Sequence, residues 1–381
     1  MKLTRRSRVA GAAVTGVLAL TLAACGSDDP LAGRTATTPA DTTGTPSESE
    51  SGTAEVSALS GELAGAGASS QEAAMVAWIA EFQNANPDVT IAYDPVGSGG
   101  GRTQFLEGGT AFAGTDSSLK DEEVDAANLR CEGGEVIEIP GYISPIAVIF
   151  QLDGIDSLNM SGETIAKIFN LDITMWNDPA IAAENPDVEL PDLAITTVNR
   201  SDGSGTTKNF TDYLAKVAPD VWTYEVGDDY PITGGQSAQG TSGVVQTVTD
   251  GTGTIGYADA SRAGGLGTVA LKVGDAYVPY SPEAAAAVVD ASPRVEGTGD
   301  NRIQVKLDRT TSAAGAYPLV LISYEIACTT YADAAQADLV REFLTFVVSG
   351  EGQALAAANA GAAPLSPALT DEVTAILATI G

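Results

Sequence analysis

The spacing of apolar residues after residue 57 changes repeatedly between two periods, which predicts interleaved helices and strands. Gln71–Asn84 forms a helical pattern that Pro87 ends, and its apolar stripe consists of Ala74, Met75, Trp78, Ile79 and Phe82. Short runs rich in β-branched or aromatic residues, typical of strands, are Val89–Tyr93, Ile143–Phe150 and Ile195–Asn199. The mixture continues with a helix around Phe210 and with the apolar segments Val244–Val248, Thr254–Tyr257, Val320–Ile326 and Leu339–Val348. We therefore expect an α/β fold with largely parallel sheets that bind ligands at the carboxyl ends of strands.

Three Gly/Ser-rich turns lie where a helix is predicted to begin: Gly65–Ser70, Val96–Gly101 and Asn199–Thr207. Such turns place free backbone N–H groups and hydroxyls at a helix N-terminus, where the helix dipole favours an anion. Any one of them could be an ordinary turn. Three at such junctions, one of them carrying Arg200, favour an anion site, and none completes a nucleotide-binding signature.

Composition narrows the function classes. A chain of 381 residues is long enough for two lobes, and its net charge of −31 argues against nucleic-acid binding, which needs a basic surface. The chain has no histidine, so mechanisms that depend on imidazole are excluded, from Ser-His-Asp hydrolases to His-ligated zinc.

The first 24 residues read as a lipoprotein signal peptide, with four cations before the apolar run Val9–Ala24. Leu22–Gly26 resembles the bacterial lipobox, in which Cys25 becomes the lipid-bearing N-terminus. An ordinary small-residue cleavage site is the alternative, and Arg5 with Arg6 leaves twin-arginine export open. The expected location is the extracytoplasmic face of the bacterial cell membrane, with the protein anchored by lipid at Cys25.

Residues 25–56 are rich in Ser, Thr and Pro, contain no aromatic residue and are expected to be a disordered tether. This location would leave Cys131 and Cys328 in an oxidising compartment, where a disulfide between them is expected.

These segments resemble the phosphate-binding protein (PstS) family of bacterial phosphate ABC importers, over essentially the whole chain after the tether. The landmarks are Gly65–Ser69, Gly97–Gly100, Ala113–Asp116, Trp176–Ile181, Arg200–Thr206, Gly253–Tyr257 and Tyr317–Leu319. The resemblance implies a periplasmic-binding-protein clamp of class II type, with two lobes that each contain a mixed, largely parallel sheet. One lobe would comprise residues 57–144 plus 314–381 and the other residues 145–313, with hinge strands near Ile139–Pro145 and Ala313–Tyr317.

The resemblance also implies a set of phosphate-binding residues: Ser69, Ser70, Ser98, Asp116, Arg200, Ser204, Gly205 and Thr206. Asp202 would orient Arg200 by an ion pair. Ser70 departs from the family, in which many members have an aromatic residue there, and only its main-chain amide is expected to contact phosphate.

Elementary chemistry supports two of these roles. The planar guanidinium of Arg200 suits a tetrahedral oxyanion. A carboxylate such as that of Asp116 repels an anion unless the anion carries a proton to donate. Phosphate does so near neutral pH, since phosphate monoesters have a second pKa of about 6. Sulfate has no such proton, so Asp116 is the residue expected to discriminate between them.

Two other functions remain open. The chain could be a receptor for another oxyanion such as sulfate or molybdate. Ser117–Lys120 matches the S-x-x-K motif and Ser201–Gly203 approximates S-D-N, which would suit a histidine-free serine hydrolase, although no K-T-G is present. The favoured interpretation is a monomeric receptor, not an enzyme, without cofactor or metal, whose partners are phosphate, the membrane and the permease of an ABC importer.

Overall fold

The computed structural model describes residues 59–381, so the predicted signal peptide (1–24), Cys25 and the tether (25–56) lie outside the described residues. The strands are β1 (Gly61–Gly67), β2 (Val89–Asp94), β3 (Phe112–Thr115), β4 (Val136–Phe150), β5 (Ser157–Met160), β6 (Thr196–Arg200), β7 (Gln236–Ala238), β8 (Thr254–Asp259), β9 (Gly267–Val273), β10 (Ala276–Val278) and β11 (Val320–Cys328). The helices are α1 (Glu72–Ala85), α2 (Ser98–Leu106), α3 (Asp121–Arg130), α4 (Gly162–Phe169), α5 (Pro179–Glu184), α6 (Gly205–Val217), α7 (Gly240–Asp250), α8 (Pro282–Ala291), α9 (Ala334–Val348), α10 (Gly350–Ala360) and α11 (Pro367–Leu377). A short 3₁₀ helix covers Ala260–Arg262.

Two sheets share one long strand. The first sheet has the order β2-β1-β3-β11-β4, and the second continues from β4 through β8 and β6 to β7, with β9 also paired to β4. Helices α1–α3 and α9–α11 pack with the first sheet and α4–α8 with the second, which gives a first and a second lobe. The predicted two-lobed α/β fold is confirmed. Both sheets are mixed, but they are not largely parallel as expected. The pairings β1/β2, β1/β3, β5/β9, β6/β7 and β6/β8 are parallel, whereas β3/β11, β4/β11, β4/β8, β4/β9 and β9/β10 are antiparallel.

The connection between the lobes differs from the expected pair of hinge strands. β4 crosses between the sheets, because it pairs with β11 up to Pro145 and with β8 from Ile146 onward. The second predicted hinge strand, Ala313–Tyr317, is wrong: these residues form a turn and an irregular connection before β11. Lobe boundaries at 144/145 and 313/314 stay a prediction. The return path also touches the first sheet, since Arg302 forms an ion pair with the buried Glu138 of β4 at 2.9 Å.

Apolar periodicity places the predicted elements correctly. Helix α1 buries Met75, Trp78 and Phe82 along one stripe, and the Trp78 indole N–H donates to the carbonyl of Gly352 on α10 at 2.7 Å. Burial of such stripes against the sheets is what stabilises helices of this length. No helix between residues 59 and 381 is both long and apolar enough to cross a bilayer.

A disulfide joins the end of α3 to the end of β11. Cys131 and Cys328 are bonded with their Cα atoms 5.3 Å apart, and both are fully buried in the first lobe. The guanidinium of Arg130 lies 4.1 Å from the centre of the Phe105 ring beside this bridge, a cation–π contact. The bridge lies in a small hydrophobic cluster of the first lobe that also contains Phe105 and is separate from the main core.

Candidate functional site

Polar segments from both lobes meet where the carboxyl ends of strands face helix N-termini. On the first lobe these segments follow β1 and end β3, and on the second lobe they end β6 and begin α6 and α7. Two of the hydroxyl contacts that connect the lobes directly lie in this region. Ser69 Oγ lies 3.1 Å from Thr241 Oγ1, and Thr206 Oγ1 donates to Asp116 Oδ2 at 3.0 Å. The turns singled out in the sequence thus lie in one inter-lobe site.

Asp116 is at the centre of this site and is 5% exposed. Its Oδ1 accepts hydrogen bonds from the hydroxyls of Ser70 at 2.7 Å and Ser323 at 2.5 Å, and its Oδ2 accepts from Thr206 at 3.0 Å. A carboxylate oxygen can accept two hydrogen bonds. Oδ2 therefore retains one acceptor position for a ligand that donates a proton.

The surroundings of Asp116 act on its ionisation in opposite directions. Burial is the largest effect and leaves the pKa of Asp116 above its usual value, although the hydroxyls of Ser323, Ser70 and Thr206 and the positive charge of Arg200 act to lower it. Hydrogen bonds donated to a carboxylate favour its charged form. The three hydroxyls therefore support the ionised acceptor in a place where desolvation opposes it.

Arg200, at the end of β6, supplies the positive charge of the site, and its side chain is 2% exposed. Its Nε and Nη2 donate to the two carboxylate oxygens of Asp202 at 2.8 and 2.5 Å. Although burial opposes ionisation, this pairing holds the pKa of Asp202 below its usual value. Nη1 of Arg200 has no hydrogen-bond partner among residues 59–381, so one edge of the guanidinium remains free for an oxyanion.

The first turn of α6 approaches the first lobe very closely. Ser204 caps this helix, since its Oγ accepts from Thr207 N at 3.2 Å. A Cβ atom on Gly205 would lie 2.6 Å from Asp116 Cβ and 2.7 Å from Ser98 Oγ. Only glycine therefore allows this helix N-terminus to reach the carboxylate.

The second Gly/Ser-rich turn, Val96–Gly101, is largely part of a helix, although the sequence predicted it to precede the helix. Helix α2 begins at Ser98, so Gly99–Gly101 lie in its first turn and not before it. A Cβ on Gly101 would lie 2.3 Å from the Cα of Gly67, which explains why a residue without a side chain stands there. Ser98 Oγ accepts from the main-chain N–H of Asp116 at 3.1 Å, so it fixes the carboxylate-bearing loop.

Sequence reasoning missed three contributions to the site. Gly240–Gly243, which opens α7, is a fourth Gly/Ser/Thr turn with the same composition signal, and it brings Thr241 to Ser69. Ser323 lies in the middle of a buried strand, and no motif around it indicates that its hydroxyl belongs to a binding site. Only the main-chain amide of Ser70 was expected to make a contact in the site, but its hydroxyl also donates a hydrogen bond to Asp116.

The residues of the serine-hydrolase alternative are not arranged for nucleophilic catalysis. The hydroxyl of Ser117 donates a hydrogen bond to Asp228. Lys120 is exposed just before α3, and its main-chain N–H donates to the Glu123 carboxylate. Ser201 is exposed, and Asp202 is occupied by Arg200. In the part of the chain that the structure describes, no three acidic or cysteine side chains are grouped to hold a metal ion.

A second buried carboxyl group lies beneath the site. Glu325 on β11 is paired in register with Gly114 of β3, is fully buried, and has no hydrogen-bond partner within residues 59–381 for either carboxylate oxygen. Gln71 Oε1 is likewise buried without a partner, while Gln71 Nε2 donates to the hydroxyl of Tyr93. Burial raises the pKa of Glu325 to about 8, with the charge of Asp116 adding to the effect. A protonated Glu325 has an O–H group, which is the kind of donor that a buried acceptor such as Gln71 Oε1 needs.

The protonation of Glu325 predicts how stability depends on pH. The folded protein keeps a proton on Glu325 that the unfolded chain releases above its ordinary pKa, so the free energy of unfolding should fall as pH rises from about 4.5 to about 8. This one group contributes at most about 1.4 kcal/mol per pH unit. Urea unfolding of Glu325→Gln should therefore show a shallower pH dependence than the natural protein. Exposed Glu62→Gln serves as the control, and equal slopes for Glu325→Gln and the natural protein would contradict the assignment.

Known proteins are similar to this chain in sequence and in fold. A profile of the PBP superfamily domain matches residues 41–351. Phosphate-binding protein PstS 3 of Mycobacterium tuberculosis is 34% identical over 364 residues, which cover 93% of both chains. Phosphate-binding protein PstS of Xylella fastidiosa is 31% identical over 326 residues, which cover 84% of this chain and 85% of that protein.

Solved structures agree at the level of the fold. A high affinity periplasmic phosphate-binding protein bound with phosphate has a TM-score of 0.68 at 21% identity, covering 83% of this chain and 93% of its own. The phosphate binding protein from Stenotrophomonas maltophilia has a TM-score of 0.62 at 20% identity, and the match covers 83% of this chain and 94% of that protein. The sequence relationships and the shared fold lead to one conclusion: the chain belongs to the PstS family of phosphate-binding proteins, within the PBP superfamily.

Proposed function

We propose that this protein captures inorganic phosphate between its two lobes. The observation that carries the proposal is a buried carboxylate, Asp116, in the same site as a buried guanidinium, Arg200. A site for anions in general would have no use for the carboxylate. A site for a protonated oxyanion uses the guanidinium for charge and the carboxylate as acceptor for the ligand's proton.

The remaining ligand contacts are assigned to hydroxyls and amides around these two groups. The proposed set consists of Ser69, the amide of Ser70, Ser98, Asp116, Arg200, Ser204, the amide of Gly205 and Thr206, with Asp202 orienting Arg200. Thr241 is added because it lies against Ser69 from the other lobe. A ligand that contacts both lobes stabilises their closed arrangement by its differential affinity, so phosphate binding and closure are thermodynamically coupled.

The proposed role is transport without a chemical step. The protein would work outside the cytoplasmic membrane as a monomer and hand phosphate to the permease of an ABC importer. Lipid attached to Cys25 would anchor it, and Cys25→Ser should then abolish incorporation of radiolabelled fatty acid into the protein. Labelling of that variant equal to that of the natural protein would contradict the anchor.

Calorimetric titration of the ligand-stripped protein tests the function. Phosphate should bind tightly, while sulfate and molybdate at the same concentration should give little heat, because neither offers a proton to Asp116 near neutral pH. Preferential binding of sulfate or molybdate would transfer the assignment to another oxyanion. Absence of binding by all three anions would overturn the oxyanion-receptor proposal.

A further inference from the structure

Asp228 lies between α6 and β7 on the second lobe, yet its carboxylate bonds only to the first lobe. Its Oδ2 accepts from Arg102 Nη2 of α2 at 2.6 Å, and its Oδ1 accepts from the hydroxyl of Ser117 at 2.5 Å. The side chain of Arg102 is 4% exposed and that of Asp228 is 13% exposed. A largely buried ion pair therefore connects the two lobes beside the ligand site.

The partners of this ion pair also hold the loops that carry the proposed ligand contacts. Arg102 Nη1 donates to Thr115 Oγ1 at 3.1 Å, and Thr115 immediately precedes the central carboxylate of the site. Arg102 Nε donates to Glu123 at 3.0 Å, which fixes the guanidinium. On the other lobe, the main-chain carbonyl of Asp228 accepts from Ser204 N at 2.9 Å. Asp228 thus contacts Ser204, in the ligand-bearing segment of its own lobe, and Arg102, which holds the ligand-bearing segment of the facing lobe.

A second inter-lobe ion pair is more exposed and should contribute less. Glu72 accepts from Arg262 at 3.0 Å, with side chains 27% and 37% exposed, and from Ser242 at 3.2 Å. Exposed ion pairs contribute about 0–1 kcal/mol. Breaking one partner of a buried pair has a much larger effect, because it leaves an uncompensated charge. Of these two ion pairs, the one made by Asp228 is accordingly expected to contribute more to closure.

The charge state of Asp228 suits this arrangement. Burial disfavours its ionised form, but Arg102 and the hydroxyl of Ser117 together hold the pKa of Asp228 below its usual value. Lys208 acts in the same direction. Both members of the pair are therefore charged at neutral pH, and both carboxylate oxygens of Asp228 are occupied by protein donors.

We propose that Asp228, with Arg102 and Ser117, forms a latch that holds the two lobes together and slows the release of phosphate without touching it. The proposal rests on the proposed function. Since the pair joins residues of different lobes, its hydrogen bonds form on closure and break on opening. Their loss should raise the rate constant of release and leave the rate constant of capture nearly unchanged. Asp228 is then a positioning residue, not a ligand of phosphate.

The test compares release of radiolabelled phosphate from the natural protein, Asp228→Asn and Asp229→Asn. Asp229 is the matched control, because it is the adjacent acidic residue, is exposed and forms no ion pair within residues 59–381. We expect the release rate constant to rise by about 10- to 100-fold in Asp228→Asn. It should stay within about twofold of the natural value in Asp229→Asn, because an exposed charge with no hydrogen bond or ion pair within residues 59–381 contributes little.

Each outcome decides the proposal. Equal release from Asp228→Asn and the natural protein, or an equal increase in Asp229→Asn, would overturn the latch while the proposed function stands. A natural protein that binds no phosphate would overturn both. If Asp228→Asn does not fold, the same release measurement is made on Ser117→Ala, which removes one hydrogen bond of the latch without a change of charge. Faster release with unchanged capture would support the latch. Unchanged release would overturn it.

Discussion

Phosphate affinity is expected to fall by about 10- to 100-fold when Gly205 is replaced with alanine. The added methyl group would lie 2.6 Å from Asp116 Cβ and 2.7 Å from Ser98 Oγ, far inside van der Waals contact. Gly205 is the first residue of α6 and its φ is not positive, so alanine does not strain the helix itself. The collision involves atoms of the facing lobe and therefore arises only on closure. Calorimetric titration with phosphate measures the loss, and thermal unfolding without ligand should be nearly unchanged.

Gly203→Ala is the matched control for this prediction. A Cβ there would find its nearest neighbour, the Cα of Gly99, at 3.6 Å, which is an ordinary contact. Gly203→Ala should therefore bind phosphate nearly as well as the natural protein. If Gly205→Ala binds equally well, the close approach of α6 to Asp116 is not part of the phosphate-bound form.

Asp116→Asn should lose both affinity for phosphate and selectivity against sulfate. The asparagine oxygen can still accept from Ser70 and Ser323, so the local geometry is kept. Its amide nitrogen, however, donates a hydrogen bond where the carboxylate accepted one. Loss of the acceptor for the proton of phosphate should cost about 1–3 kcal/mol, or roughly 5- to 150-fold in affinity. Sulfate, which repels a carboxylate and suits an amide, should bind measurably.

Parallel titrations with phosphate and sulfate, at low and at high salt, check this expectation. Asp94→Asn provides the control, since Asp94 is an exposed acidic residue at the end of β2 and its replacement changes the net charge by the same amount. Selectivity that persists in Asp116→Asn would show that another group discriminates between the anions. Selectivity lost in both variants would indicate a long-range effect of charge.

The elements of this fold could be predicted because their signals are local. The stripe of α1 and the β-branched runs of β2, β6 and β11 each follow from residues a few positions apart. Segment 313–317 was predicted as a hinge strand by resemblance alone, and it forms a turn. The neighbouring strand β11 is rich in β-branched and aromatic residues, although Ser323 and Glu325 interrupt them, whereas Ala313–Tyr317 contains no β-branched residue. Periodicity was thus the more dependable guide.

The candidate site could be predicted only as far as each contribution had its own motif. Arg200 lies in a recognisable turn and Asp116 was implied by the resemblance, and the structure brings both together with the hydroxyls of α6. Ser323 could not be foreseen, because its role depends on which strand lies beside β3, and that is decided by long-range pairing. The same holds for Asp228, which reaches Arg102 across 126 positions of sequence.

The disulfide between Cys131 and Cys328 has a topological consequence. The two cysteines are separated by 197 positions in the sequence, and the segment between them includes the whole predicted second lobe, residues 145–313. That lobe is therefore an insertion enclosed in a covalent ring whose closure lies in the first lobe. A protease that cuts one exposed loop of the insertion would open the ring without separating the molecule into two pieces. Nicked and intact chains would differ in size only after reduction, so in an oxidising compartment such damage would not by itself release either lobe.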